Sequence, residues 1–187
     1  MPSHRVALLA FAFVLALTAC ATPSVAPERA FSGRFSATAL GAAPANTVNG
    51  RFTIEVRGSR QVIDLATPLG TTLARIEIEP GKAVATGPQM QTATGADPDA
   101  LIESLLGWRL PVSGLADWLE GRPEPSRPAR TQSHGERISL IEQDGWTIRI
   151  DEYSGATNKP RRLSLERPPS GGQPSVSVRL IVDDPAG

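Results

Sequence analysis

The chain has 187 residues, in which 19 Lys and Arg balance 19 Asp and Glu, with 17 prolines, 17 glycines and one cysteine. That charge balance lacks the basic footprint of a nucleic-acid binder, and a single cysteine excludes a disulfide framework. The length suits one domain with a sizeable core.

The N-terminus comes first. Arg5 precedes an unbroken apolar run of twelve residues, Val6 to Leu17. Such a run is too short to span a bilayer but fits the hydrophobic region of a secretory signal. It ends in LTAC, Leu17 to Cys20, which resembles the bacterial lipobox. An ordinary cleaved signal ending in Cys is the alternative, although one unpaired thiol has no evident use in an exported protein. The lipobox resemblance implies a signal peptide over 1–19, acylation of Cys20 and anchoring by its acyl chains. Residues 20–29, rich in proline and without periodicity, read as a tether, and 30–187 as a single domain. Ala21 stands where Asp retains many lipoproteins in the inner membrane, so the resemblance implies the outer one.

Strand patterns follow. Phe31, Gly33, Phe35, Ala37 and Ala39 alternate with polar residues, and so do Val48, Gly50, Phe52, Ile54 and Val56. A period of two over that length predicts antiparallel strands with one wet face. QVIDL (61–65) and TLARIEIE (72–79) flank the turn ATPLGTT. In that turn Pro68 pre-sets one corner, Leu69 takes the second and Gly70 follows. A leucine at such a tip has nothing to pack on unless another loop covers it. Pro80-Gly81-Lys82 leads into a further short strand. Asp144-Gly145 joins RISLIEQ to WTIRIDEY as a hairpin, and RRLSLE and SVSVRLIVDD close the series.

Two helices interrupt the strands. Asp97-Pro98-Asp99 caps the first, Leu101, Ile102, Leu105 and Leu106 recur at helical spacing, and Gly107 ends it. The second is expected to be capped by Ser113 and to present Leu115, Trp118 and Leu119 before Gly121. RPEPSRPAR (122–130) reads as a mobile connection. The expected fold is mainly β: a strongly curved, unclosed antiparallel sheet with a small helical lid. The helices either fill the concave side as core or leave an apolar slot there.

Catalytic patterns are missing. The mature chain has one histidine, His134, and no G-x-S-x-G elbow, P-loop or G-x-G-x-x-G. Asp97/Asp99 reads as a helix start, and Asp151/Glu152 and Asp183/Asp184 as solvated ends. No enzyme activity, metal or cofactor is expected.

A lipobox, TPLGTTLA, DPDALIESLLGW, LPVSGLADWLEG and QDGWTIRIDEY occur in this order. Together they resemble the LolB family. The resemblance implies an outer-membrane receptor that accepts acylated lipoproteins from a LolA-type periplasmic carrier and inserts them into outer-membrane lipid. It implies an unclosed barrel, an apolar cavity for acyl chains and a protruding loop whose exposed leucine is Leu69, between Pro68 and Gly70. Trp118 and Trp146 match aromatic positions of the family's cavity. Other expected lining residues are Phe35, Phe52, Ile54, Leu65, Ile76, Ile78, Leu105 and Ile148, each of which equally suits plain core. Two departures, Ile54 in place of a tryptophan and no closing tryptophan in VDDPAG, imply a more aliphatic cavity. A monomer is expected. Binding of another apolar ligand, a glycolipid or quinone, and a structural envelope role are the alternatives.

Overall fold

The computed structural model describes residues 26–41 and 46–184. The signal segment, Cys20 and the first part of the tether lie outside these residues. Eleven strands form one antiparallel sheet: β1 (Arg29–Leu40), β2 (Asn46–Arg57), β3 (Arg60–Ala66), β4 (Thr72–Glu79), β5 (Lys82–Gly87), β6 (Met90–Gly95), β7 (Ala129–His134), β8 (Arg137–Gln143), β9 (Trp146–Tyr153), β10 (Pro160–Arg167) and β11 (Ser175–Val182). Their order in space is β6-β5-β4-β3-β2-β1-β11-β10-β9-β8-β7. Two meanders are thus joined by the β1–β11 pair, and β6 and β7 are left as edges that do not meet. This is the unclosed mainly-β fold expected.

The topology also dictates where the helices go. The two edge strands are consecutive in the chain, so the segment between them has to cross the gap between the edges. That segment carries α1 (Pro98–Leu106) and α2 (Leu115–Trp118). Asp97 caps α1 by accepting from Ala100 N at 2.7 Å. Gly107, at φ 75°, ends it with its N–H donating to Glu103 O. Ser113 does not cap α2. Its N-cap is Gly114, with no side-chain bond. The Ser113 hydroxyl is instead drawn to Asp99 of α1.

Register places the alternating apolar residues in continuous rows across the concave face. Ile54, Ile63, Ile76 and Ala85 stand opposite one another across β2 to β5. Ala37, Val178, Leu165, Ile148 and Ile141 do so across β1, β11, β10, β9 and β8. All of these are buried, and each large aliphatic side chain contributes about 1.5–3 kcal/mol. Under α1 the inward residues are small: Ala83, Ala85, Ala93 and Gly95. The helix lies close there, and a Cβ on Gly95 would sit 3.4 Å from Leu101 Cβ.

Two strands went unread in the sequence. β6 carries little apolar alternation, its inward Ala93 and Gly95 being small, and β7 has six exposed residues, so no hydrophobic pattern announced either. The Arg122–Arg130 segment is also not a free connection. Gln143 Nε2 donates to the backbone oxygens of Glu124 (2.8 Å) and Arg127 (3.0 Å), and its Oε1 accepts from Glu124 N (3.0 Å). Ala129 and Arg130 already belong to β7.

Two strand glycines sit where β1 meets β2. Phe52 stands opposite Gly33 and Phe35 opposite Gly50, so each ring covers the bare backbone of its partner, an aromatic rescue of strand glycine. A Cβ on Gly33 would come within 2.2 Å of Ile181 O and 2.9 Å of the Phe52 ring. Gly33→Ala is therefore expected to destabilise the fold by about 1–3 kcal/mol, the range for overpacking. Urea unfolding checks this. An unchanged midpoint would mean that the strand backbone gives way freely.

Candidate functional site

Beneath the segment joining the helices lies an apolar slot of about 50 Å³. Phe35, Ala37, Phe52, Ile63, Leu65, Leu165, Val178 and Leu180 of the sheet form its floor, and Leu110, Pro111, Val112 and Leu115 its roof. An engineered apolar cavity that admits benzene is about 150 Å³. The resting slot is therefore too small for a fatty-acyl chain, and its roof has to move for one to enter.

Polar contacts hold that roof. Buried Gln61 donates from Nε2 to Val112 O at 3.0 Å. Ser113 N and Oγ donate to Asp99 Oδ1 and Oδ2 at 3.0 and 2.5 Å. Arg127 donates to Ser113 Oγ at 2.8 Å and pairs with Asp144 at 2.8 Å and Glu124 at 2.9 Å. Burial disfavours the Arg127 cation, yet the Glu124 hydrogen bond and the charges of Asp144, Asp99 and Glu124 outweigh it and raise its pKa. Burial likewise opposes ionisation of Glu124. The Ser126 N–H, the Arg127 guanidinium and the Ser126 hydroxyl overcome it and hold the carboxyl below its ordinary 4.5. A depressed carboxylate stabilises fully above its unfolded pKa and is lost as pH falls through the folded value. The Glu124–Arg127 tie is therefore intact from neutrality down to about pH 4.5 and weakens below that.

The structure separates the expected lining residues. Phe35, Phe52 and Leu65 line the slot. Ile54, Ile76, Ile148 and Trp118 are fully buried in the core instead, and Ile78 is half-buried against it. Trp118 donates from Nε1 to Gln143 Oε1 at 2.9 Å, fastening α2 to the end of β8. Trp146 borders a different, charged recess of about 190 Å³ with Asp99, Arg109, Arg127, Asp144 and Arg167. There burial, then the nearby Arg109, lowers the pKa of Arg167. Leu105 does not face inward: it is 39% exposed on α1. Buried Leu101 and Ile102 already use the side of this two-turn helix that meets the sheet. The roof residues Leu110, Pro111 and Val112 were missed because they lie in the connection between helices, where no periodicity marks them.

The turn between β3 and β4 is as read. Gly70 N donates to Thr67 O at 2.9 Å, Thr67 N to Thr71 O at 2.8 Å, and Thr71 N to Thr67 Oγ1 at 3.1 Å. Gly70 has φ 93°, a conformation glycine adopts without strain. Pro68 and Gly70 are exposed, and Leu69 is 96% exposed at the tip. Leu65 of the slot floor lies four residues before it, near the end of β3.

The family model described as outer membrane lipoprotein LolB matches residues 28–184. The chain belongs to the LolB family. An outer-membrane lipoprotein LolB of Cupriavidus pinatubonensis is 38% identical, covering 97% of this chain and 95% of its own. Another, of Bordetella petrii, is 39% identical, covering 90% and 87%. A solved LolA superfamily protein of Nitrosomonas europaea superposes with a TM-score of 0.48 at 12% identity, covering 84% of this chain and 86% of that one. The floor, the roof and the Leu69 turn all lie within the LolB match.

Asp99→Ala removes both bonds to Ser113 while Arg127 keeps Glu124 and Asp144. Hydrogen exchange across residues 108–115 is expected to accelerate about tenfold, with global stability falling by under about 2 kcal/mol. Unchanged exchange would mean that apolar contacts alone hold the roof.

Proposed function

We infer that this LolB-family chain takes acylated lipoproteins from a soluble LolA-type carrier, shelters their acyl chains beneath its lid and releases them into the outer membrane. The observation that carries the reading is a single strand, β3, that both floors an apolar slot and projects a bare leucine just beyond it. A protein tip in water has no use for an exposed leucine. A bilayer interface does.

Energetics set the need for such a site. An acyl chain of about fifteen methylenes costs about 12 kcal/mol to hydrate, at about 0.8 kcal/mol per CH₂. Passage from a carrier through a slot to a bilayer can run downhill if each site holds the chain more tightly than the one before. No covalent step is then required, and the residues named at the site bind and shield rather than react.

Anchoring at Cys20 fits the same orientation. Glu28 N donates to Val56 O, which fixes the start of the domain at the end of the sheet away from the Leu69 turn. The eight steps from Cys20 to Glu28 reach at most about 28 Å. From Val56 to Arg51, which pairs with Ala66 at the foot of the turn, the strand runs about 17 Å. The tether therefore lets Leu69 touch the bilayer in which Cys20 is held.

Leu69→Glu tests the reading in two stages. At a position this exposed the change should alter stability by less than about 0.5 kcal/mol, and uptake of cargo from a loaded carrier should proceed as in the parent. Transfer of bound cargo into liposomes should slow at least tenfold. Lost uptake with unimpaired transfer of whatever is bound would contradict the role given to the turn.

A further inference from the structure

The outer face of the sheet is unevenly charged. On its β3–β4 side exposed arginines are matched by carboxylates: Arg75 pairs with Asp64 at 2.7 and 2.8 Å, and Arg60 with Glu77 at 2.6 Å. Further round, on β2, β1, β11, β10 and β9, stand Arg51, Arg34, Arg179, Arg162 and Arg149, all exposed. Register draws them together. Arg34 is directly opposite Arg51. Ser36, two residues on, is opposite Arg179, which faces Ser164, which faces Arg149. Arg162 is opposite Ile181, itself opposite Arg34. With about 4.8 Å between strands, the group spans roughly 20 Å.

Compensation on this face is thin. Arg51 reaches Asp183, and Arg162 reaches Glu152, each at 3.5 Å. Arg34, Arg149 and Arg179 have no hydrogen bond or ion pair among the described residues. Asp151, two residues on from Arg149, accepts instead from Ser164 Oγ at 2.6 Å, and Glu166 lies one row further along the face. Like charges directly opposite one another destabilise a sheet. A chain with as many acids as bases nevertheless places Arg34 against Arg51.

The position of the array selects its ligand. Arg51 stands opposite Ala66, the foot of the Leu69 turn, so the arginines begin where the apolar tip projects. An apolar tip flanked by cations is the composition of a contact with an anionic lipid surface. A carrier handing over acyl chains would have to dock at the slot, on the opposite, concave side. We propose that Arg34, Arg51, Arg149, Arg162 and Arg179 form a docking surface for anionic phospholipid headgroups that seats the domain on the bilayer beside Leu69. This rests on the membrane role inferred for the turn.

The test uses the mature chain, residues 20–187, with Cys20→Ala so that no anchor masks weaker contacts. Flotation is compared on vesicles of phosphatidylcholine alone and with about one-third phosphatidylglycerol, at about 0.1 and 0.5 M salt. Binding should be at least tenfold stronger on the anionic vesicles at low salt. Arg34→Gln/Arg149→Gln/Arg179→Gln, which breaks no internal bond, should abolish that increment, each arginine near the surface being worth about fivefold. Equal binding to both vesicles, or an unchanged increment in the folded triple variant, overturns the proposal. If that variant floats normally but accepts cargo poorly from a loaded carrier, the array serves an acidic protein surface instead. Leu69→Gln, which removes the apolar tip without adding charge, should weaken binding to both vesicles and retain the anionic increment. Failure of the turn's role would therefore show separately, as unchanged binding to neutral vesicles.

Discussion

The structure depends on one unsatisfied requirement of its sheet: a strongly curved apolar concave face whose end strands never pair. Closure would have buried that face within a barrel. Because β6 and β7 stay apart, the thirty-odd residues between them have to do the covering. The cover is then not a continuous part of the sheet. It is held by a few side chains, Gln61, Asp99, Arg127 and Gln143, and by the apolar residues it lowers into the slot. A sheet core that cannot shift beside a cover that can is what a transient host for an apolar chain needs.

The polar ties differ in kind. Gln143 is buried and uses both ends of its amide, accepting from Trp118 and Glu124 and donating to two backbone oxygens. Opening there would strand a buried amide, at a cost of about 1–3 kcal/mol. The Asp99–Ser113–Arg127 contacts lie nearer solvent, where water can replace them at little cost. The Asp99–Ser113–Arg127 contacts therefore yield most readily, lifting Val112 further breaks the buried Gln61 bond at a cost like that at Gln143, and α2 stays with the sheet. Opening of this kind would widen the slot toward Leu65 and the β3–β4 turn, the side from which chains would pass into lipid.

Much of this was legible in the sequence, and the limits were physical. The inward set of β1 and β2 could be read from alternation alone, and Asp144-Gly145 named its hairpin, both residues adopting positive φ. Which inward residues line the slot could not be read, because that depends on where the roof descends. Ile54 and Phe52 follow the same alternation two residues apart, yet only Phe52 borders the slot. Trp118 and Trp146 looked alike as aromatic lining, but the indole N–H of Trp118 had a buried amide to meet and Trp146 borders a charged recess. From the residues alone the exposure of Leu69 was readable only as an anomaly, since proline and glycine explained the turn and left the leucine without a partner; the family resemblance supplied the exposed tip.

The central claim is that the acyl chain of a lipoprotein lies between the β3 side of the sheet and the Leu110–Val112 roof. Photo-crosslinking tests it most directly, using an N-acylated cysteine peptide whose acyl chain carries a diazirine near its end. The account predicts labelling of Phe35, Leu65 and Leu110, competed away by unlabelled acylated peptide and increased by Asp99→Ala. Saturable labelling confined to the outer face or to the helix surface at Leu105, with none in the slot, would contradict it.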